Sequence, residues 1–202
     1  MQPPYYDLEV KIAARKENID IFRKITNLSS IPSNKIYLTL CNEQPPDHEG
    51  TEIVQLEKLG FLKKEQFYGI DRDEHIIAKN KKWHPNAHWF CGEWVDVIKD
   101  IDNKKLSVIY LDTTTFADNN TSANIVKSTM PLCPKGALLL INVMLSSPYD
   151  GRKFEPSDLI NKINKNIPSF ELDKWKREIP NYTYSATGKT KMITYIFVKE
   201  HN

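Results

Sequence analysis

Two acids stand at the ends of apolar runs. Asp71 closes Phe67-Tyr68-Gly69-Ile70, and Asp112 closes Leu106-Ser107-Val108-Ile109-Tyr110-Leu111. A carboxylate at the carboxyl end of a buried strand is where an open α/β sheet holds the ribose of a nucleotide-like ligand. Two strands that both stop at an acid predict a ligand crevice along one edge of the sheet. The competing use of Asp71 is as a helix cap, because Asp71 and Asp73 both precede a helical pattern and carboxylates favour helix amino termini. For Asp112 the competing use is to cap Asn119-Asn120-Thr121 or to bond loop amides.

Other chemistries find little support. His48, His75, His84 and His88 form no ligand pattern; His84 and His88 are four apart, but Pro85 interrupts any shared helix face. No metal is expected. The Gly-x-Ser-x-Gly elbow of a serine hydrolase is absent. Gly188-Lys189-Thr190 looks like the tail of a phosphate-binding loop, but the earlier glycine is missing and strand patterns flank it, so it reads as a turn. Lys79, Lys81 and Lys82 cluster near Trp83, and Lys174, Lys176 and Arg177 near Trp175. Basic and aromatic residues interleave in this way on nucleic-acid-binding surfaces, although solvated lysine faces are commoner.

The elements that must position the acids follow from periodicity. Leu8, Ile12, Ile19, Phe22 and Ile25 predict an amphipathic helix over most of 7–29. A strand follows at Lys35–Cys41, then a polar loop, Asn42-Glu43-Gln44-Pro45-Pro46-Asp47-His48-Glu49-Gly50, and a helix with Ile53, Leu56 and Leu59 on one face. The second strand is 66–71. Asp73 caps a helix that Pro85 closes. A short strand at 87–91 leads to a helix with Trp94, Val97, Ile98 and Ile101 facing inward. The fourth strand, 106–112, precedes a helix bearing Ala123, Val126 and Met130. Residues 137–145, the most apolar run, read as a central strand. Pro156 opens a helix with Leu159, Ile163 and Ile167, and strands near 171–185 and 191–199 form a hairpin across Thr187-Gly188-Lys189. This alternation predicts an α/β fold: a doubly wound, mainly parallel, seven-stranded Rossmann-like sheet ending in an antiparallel β-hairpin.

The bulk numbers fit one domain, 1–202, with 1–34 as a leading helix and 35–202 as the core. At 202 residues the chain can bury a full layered core, and 40% hydrophobic with 27% charged residues is ordinary for a globular protein. A net charge of +2 gives no global attraction to nucleic acid or anionic membrane. No apolar run approaches a bilayer span and no secretory signal opens the chain, so membrane partners are not expected. Cys41, Cys91 and Cys133 are odd in number and sit in apolar runs, which predicts reduced, buried thiols and a cytoplasmic location.

Five βα units closed by an antiparallel hairpin, with acids ending the second and fourth strands, resemble the class I S-adenosylmethionine-dependent methyltransferases. The resemblance covers nearly the whole chain after residue 34. It implies S-adenosylmethionine as cofactor, its ribose on Asp71 beside Arg72, and its adenine against Gly92-Glu93-Trp94. It also implies methyl transfer at the end of the fourth strand, with Asp112 as the catalytic residue. Asp112-Thr113-Thr114-Thr115-Phe116 stands where methyltransferases of nucleic-acid amines carry an acid or Asn, two prolines and an aromatic residue; here threonines replace the prolines. The first loop departs further. The family has an acid and three close glycines there, whereas this chain has Leu40-Cys41-Asn42-Glu43-Gln44-Pro45-Pro46 and a late Gly50. Cofactor contacts from Cys41, Asn42, Glu43 and Gly50 are one outcome, and a closed pocket is the other. The function implied is a methyltransferase of unknown acceptor, nucleic acid being one candidate. The alternative is an inactive methyltransferase-like module that binds nucleic acid or protein.

Overall fold

A computed structural model describes residues 8–116, 120–146, 153–187 and 190–201. Its elements in chain order are α1 (Leu8–Thr26), β1 (Ile36–Leu40), α2 (Glu52–Lys58), β2 (Phe67–Asp71), α3 (Glu74–Trp83), β3 (His88–Cys91) and α4 (Trp94–Val97). There follow β4 (Leu106–Phe116), α5 (Asn120–Thr129), β5 (Leu138–Met144), α6 (Ser157–Asn166), α7 (Ser169–Leu172), β6 (Trp175–Thr187) and β7 (Thr190–Lys199). One seven-stranded sheet runs in the order β3-β2-β1-β4-β5-β7-β6. The first five strands are parallel, and β7 lies antiparallel to both β5 and β6. The order reverses between β1 and β4, the switch point at which a crevice opens beyond the strand ends.

Side chains alternate between two apolar layers, as the pleat requires. Ile36, Leu38, Ile70, Ile109, Leu139 and Ile141 pack with Trp94, Val126 and Leu159 on the face covered by α4, α5 and α6. Tyr37, Phe67, Trp89, Val108, Leu138 and Leu140 pack with Ile19, Phe22, Leu56 and Ile77 on the face covered by α1, α2 and α3. Because both faces are covered, β1 and β5 are buried at almost every position, which is why they read as unbroken apolar runs. Helix α1 belongs to this core: Ile19 and Phe22 are 1% exposed, and Phe22 meets Phe61 edge to face. It ends where Asn27 takes a left-handed conformation at φ 57°. Among the described residues no helix is long and apolar enough to cross a membrane.

Several expectations are corrected. Strand β4 does not stop at Asp112 but continues to Phe116, with a register shift against β5 after Asp112. The strand expected near 171 begins at Trp175, because Ser169–Leu172 forms a short helix after Pro168. Helix α4 is only four residues long, although Ile98 and Ile101 are still buried. Leu59 lies past the end of α2 and is 40% exposed. Cys41 and Cys133 are buried free thiols, but Cys91, the last residue of the edge strand β3, is exposed. Strands β6 and β7 pair up to Thr187 and Thr190; the turn residues Gly188 and Lys189 lie outside the described residues.

The hairpin is tied to the helical layer by a buried ion pair. Lys199, 3% exposed, sends Nζ to Glu171 Oε1 at 3.2 Å and to the Met130 carbonyl at 3.1 Å. The Trp175 indole N–H donates to the same Glu171 oxygen at 3.2 Å, and the ammonium sits 5.4 Å from the indole centroid. Burial pushes the Glu171 carboxyl up, but the bonds from Trp175 and Lys199 outweigh it and hold it below its ordinary range. The pair's stabilisation is therefore present above that range and is lost as pH falls through the depressed value. Lys174 also pairs with Glu171, at 3.4 Å, but is 31% exposed. Glu171→Ala should cost about 3 kcal/mol in denaturant unfolding by stranding Lys199. Lys174→Ala should cost less than about 1 kcal/mol. Equal losses would show that the interior pair carries no special weight.

Candidate functional site

The carboxyl ends of β1 and β2, with Asp112 and Thr113 within β4, form the floor of a cleft of about 390 Å³. Leu40, Ile70, Asp71, Asp112 and Thr113 supply the floor. The Gly92–Val95 segment at the start of α4 makes one wall, and Thr121, Asn124 and Ile125 of α5 make the other. Cys41, Asn42, Asp71, Arg72, Gly92, Glu93, Trp94 and Asp112 all line this one cleft. Glu43 and Gly50 do not; they line an adjoining chamber of about 240 Å³, which meets the cleft at Leu40, Asn42 and Asp112.

Asp71 is not the cap of α3. That role belongs to Asp73, whose Oδ1 accepts from the His75 amide at 2.8 Å. Asp71 Oδ1 accepts from the Asp73 amide at 2.8 Å, which fixes the carboxylate at the rim of β2. Partial burial pushes its carboxyl above the ordinary range, more than the Asp73 amide lowers it. Opposite it, Gly92 donates its N–H to the Asp71 carbonyl at 3.0 Å. Gly92 has φ +150°, and a Cβ there would lie 2.9 Å from Val97 Cγ2, so the turn toward α4 requires a bare backbone. Trp94 is 3% exposed, with its indole N–H on Thr129 Oγ1 at 2.8 Å, and locks α4 to α5 across the back of the cleft.

Asp112 is held across three strands. Its Oδ1 accepts from Asn142 Nδ2 at 2.7 Å, and Asn142 Oδ1 accepts from Thr194 Oγ1 at 3.4 Å. Asp112, Asn142 and Thr194 are register partners on β4, β5 and β7, and Asn142 is 1% exposed. Thr113 Oγ1 lies 3.1 Å from the Asn142 carbonyl and 3.0 Å from Ser122 Oγ. Sequence reasoning missed Asn142. The available signal was a single amide in the middle of the most apolar run of the chain.

The glycine-poor loop after β1 leaves the cleft open because it is folded back and pinned. Asn80 of α3, fully buried, accepts from the Gln44 N–H at 2.8 Å and donates to the Asn42 carbonyl at 3.0 Å. His84 Nε2 lies 2.7 Å from the Gln44 carbonyl, and Thr51 Oγ1 donates to the Pro45 carbonyl at 2.8 Å. Arg15 of α1 reaches the Gly50 carbonyl, and Lys79 of α3 pairs with Glu43. The Cys41 thiol lies against Gly69 and Asn80, and burial pushes its pKa far up.

The adjoining chamber contains two more charged residues, Glu52 and Arg15. Glu52, the first residue of α2, is 4% exposed and receives the Tyr37 hydroxyl on Oε1 and Thr39 Oγ1 on Oε2 at 3.4 Å. Arg15 lines the same chamber. Among the described residues no group of three or more His, Cys, Asp or Glu could hold a metal ion. The Lys174-Lys176-Arg177 stripe lacks the stacking ring expected of it, because Trp175 is only 9% exposed.

No protein-family model and no curated protein matches the sequence. Solved structures do match. An rRNA methylase from Streptococcus thermophilus aligns over 93% of this chain and 97% of its own, with TM-score 0.61 at 11% identity. The plantazolicin methyltransferase BamL, solved with a substrate analogue and SAH, aligns over 95% of this chain and 85% of its own, with TM-score 0.60 at 10% identity. Trm5b from Pyrococcus abyssi aligns over 95% of this chain but 49% of its own, with TM-score 0.59 at 10% identity. The chain has the fold of class I S-adenosylmethionine-dependent methyltransferases.

The raised Asp71 carboxyl makes its charge unfavourable in the folded state at pH above that raised value. Asp71→Asn keeps an acceptor for the Asp73 amide and removes the charge. Its melting temperature should equal or exceed that of the parent at neutral pH. The difference should vanish below about pH 3.8, the ordinary aspartate value, where both chains are neutral at this position. A lower melting temperature at neutral pH would mean that the ionised carboxylate is a structural requirement.

Proposed function

We propose that this protein is a methyltransferase that binds S-adenosylmethionine in the cleft above β1, β2 and β4. The observation that carries the reading is the convergence of Asp71 and Asp112 on one open cleft at the switch point. Asp71 would accept the ribose hydroxyls. The Gly92–Val95 turn and the Asn124–Ile125 side of α5 would hold the adenine, and Leu40 and Asn42 the methionyl arm.

Transfer is a direct displacement. Bound there, S-adenosylmethionine would supply an electrophilic methyl group whose sulfonium leaves as a neutral thioether. Such a step gains mostly from alignment and exclusion of water. Asp112, fixed by Asn142, orients the acceptor, and Trp94 with Ile125 keeps one side of the cleft apolar. Nucleic acid is one acceptor class consistent with the rRNA methylase and Trm5b folds, and the cleft itself favours no one class.

Isothermal calorimetry with S-adenosylmethionine and S-adenosylhomocysteine tests the reading directly. Both should bind, and Asp71→Ala should weaken each more than about tenfold, the scale of a lost pair of charge-assisted hydrogen bonds. No heat at millimolar ligand would overturn the methyltransferase assignment.

A further inference from the structure

A separate groove of about 320 Å³ lies under α6 and α7, at the β7–β6 end of the sheet. Its walls are apolar: Ile160 and Ile163 of α6, Leu172 of α7, Trp175 of β6 and Phe197 of β7. Asn164 and Arg177 are its polar lining. It shares no lining residue with the cleft or with the adjoining chamber. Ligand pockets of roughly 300–1,000 Å³ have this make-up, mostly hydrophobic with a few polar groups that fix orientation.

The register of the hairpin decides where Arg177 stands. Arg177 is opposite Phe197, and Trp175 is opposite Lys199. Residues two apart on a strand, and residues directly opposite across a ladder, share one face of the sheet. Arg177 therefore stands on the face whose Trp175 and Phe197 belong to the apolar layer under α6. The other cations on this side are spent within the fold, since Lys174 and Lys199 both pair with Glu171. An inward charge on an edge strand such as β6 also discourages strand addition. That use needs no apolar groove around the charge.

We propose that this groove binds a small carboxylic acid with a hydrocarbon body, its carboxylate on Arg177 and its body against Ile160, Ile163, Leu172 and Trp175. A planar guanidinium offers paired N–H donors that match a carboxylate, and the Asn164 amide lines the same space. An amine is repelled by Arg177. A phosphate needs more donors than one guanidinium and one amide beside aliphatic walls. A nucleic-acid base needs a free ring to stack on, whereas Trp175 is 9% exposed with its N–H on Glu171. The site is independent of methyl transfer.

Calorimetry on the full chain with octanoate, octanol and octylamine, which share one hydrocarbon chain, tests the assignment. Octanoate should bind at least about tenfold more tightly than octanol, the scale of a charge-assisted hydrogen-bond pair, and octylamine most weakly. Arg177→Gln changes an exposed side chain and should stay folded. It should abolish the preference for octanoate while leaving octanol affinity unchanged. Ile160→Trp, at a half-buried position of α6, fills the groove and should abolish binding of both, with melting curves confirming that each variant is folded. No octanoate binding at millimolar ligand, or equal affinities for the three ligands, overturns the proposal. So does a preference for octanoate that survives Arg177→Gln, which would leave Arg177 as protection for the edge strand alone.

Discussion

The site depends on one buried carboxamide. Asn80, fully buried in α3, takes the Gln44 N–H on its oxygen and gives its own N–H to the Asn42 carbonyl. A loop with two prolines cannot present a continuous row of amides, and its carbonyls must still find donors. Asn80, His84, Thr51, Gln55 and Arg15 satisfy the carbonyls of Asn42, Gln44, Pro45, Glu49 and Gly50 in turn. Side chains from α1, α2 and α3 and their caps thus fix the course of this loop without glycine. The space above β1 stays open because the loop is tied outward.

The same logic governs the polar groups inside the sheet. The parallel core buries both faces of β1, β4 and β5, so any polar side chain there needs a defined partner. Asn142 and Thr194 satisfy each other across β5 and β7, and the spare amide proton of Asn142 fixes Asp112. Tyr37 and Thr39, on the opposite side of β1 from Leu38, converge on Glu52. Two carboxylates are therefore aimed at neighbouring spaces by donors that lie beneath them in the sheet. The hairpin that completes the sheet is anchored at its far end by Lys199 and Glu171, away from both spaces.

Much of this architecture was legible in the chain itself. Apolar runs ending in acids, Pro and Gly punctuation and helical spacing located all seven strands and their order of use, because those signals are local. The acids Asp71 and Asp112 were legible for the same reason. The residues that hold them were not. Asn142 and Asn80 act through partners 30 and 36 or more positions away, so only the folded register reveals their role. The burial of Glu52 likewise follows only from α2 standing against β1, where the Tyr37 and Thr39 hydroxyls meet it. The end of β4 was misjudged because Asp112 interrupts an apolar pattern without interrupting the backbone ladder. Exposure of Cys91 likewise follows from β3 being an edge strand, which no local pattern shows.

Gly69 has a consequence beyond making room. A Cβ there would stand 2.6 Å from the Trp89 ring, so the indole of β3 lies directly on the bare backbone of β2. The two strands are keyed together like a tongue in a slot. A slip of one residue would turn every side chain of β3 to the opposite face, and a slip of two would drive the indole into a neighbouring side chain. With Gly69 opposite Trp89, Asp71 must stand level with Cys91, immediately before the Gly92 turn. The alignment of the carboxylate on one strand with the tight corner on the next is thus set mechanically, by the smallest residue in the run that also supplies the acid.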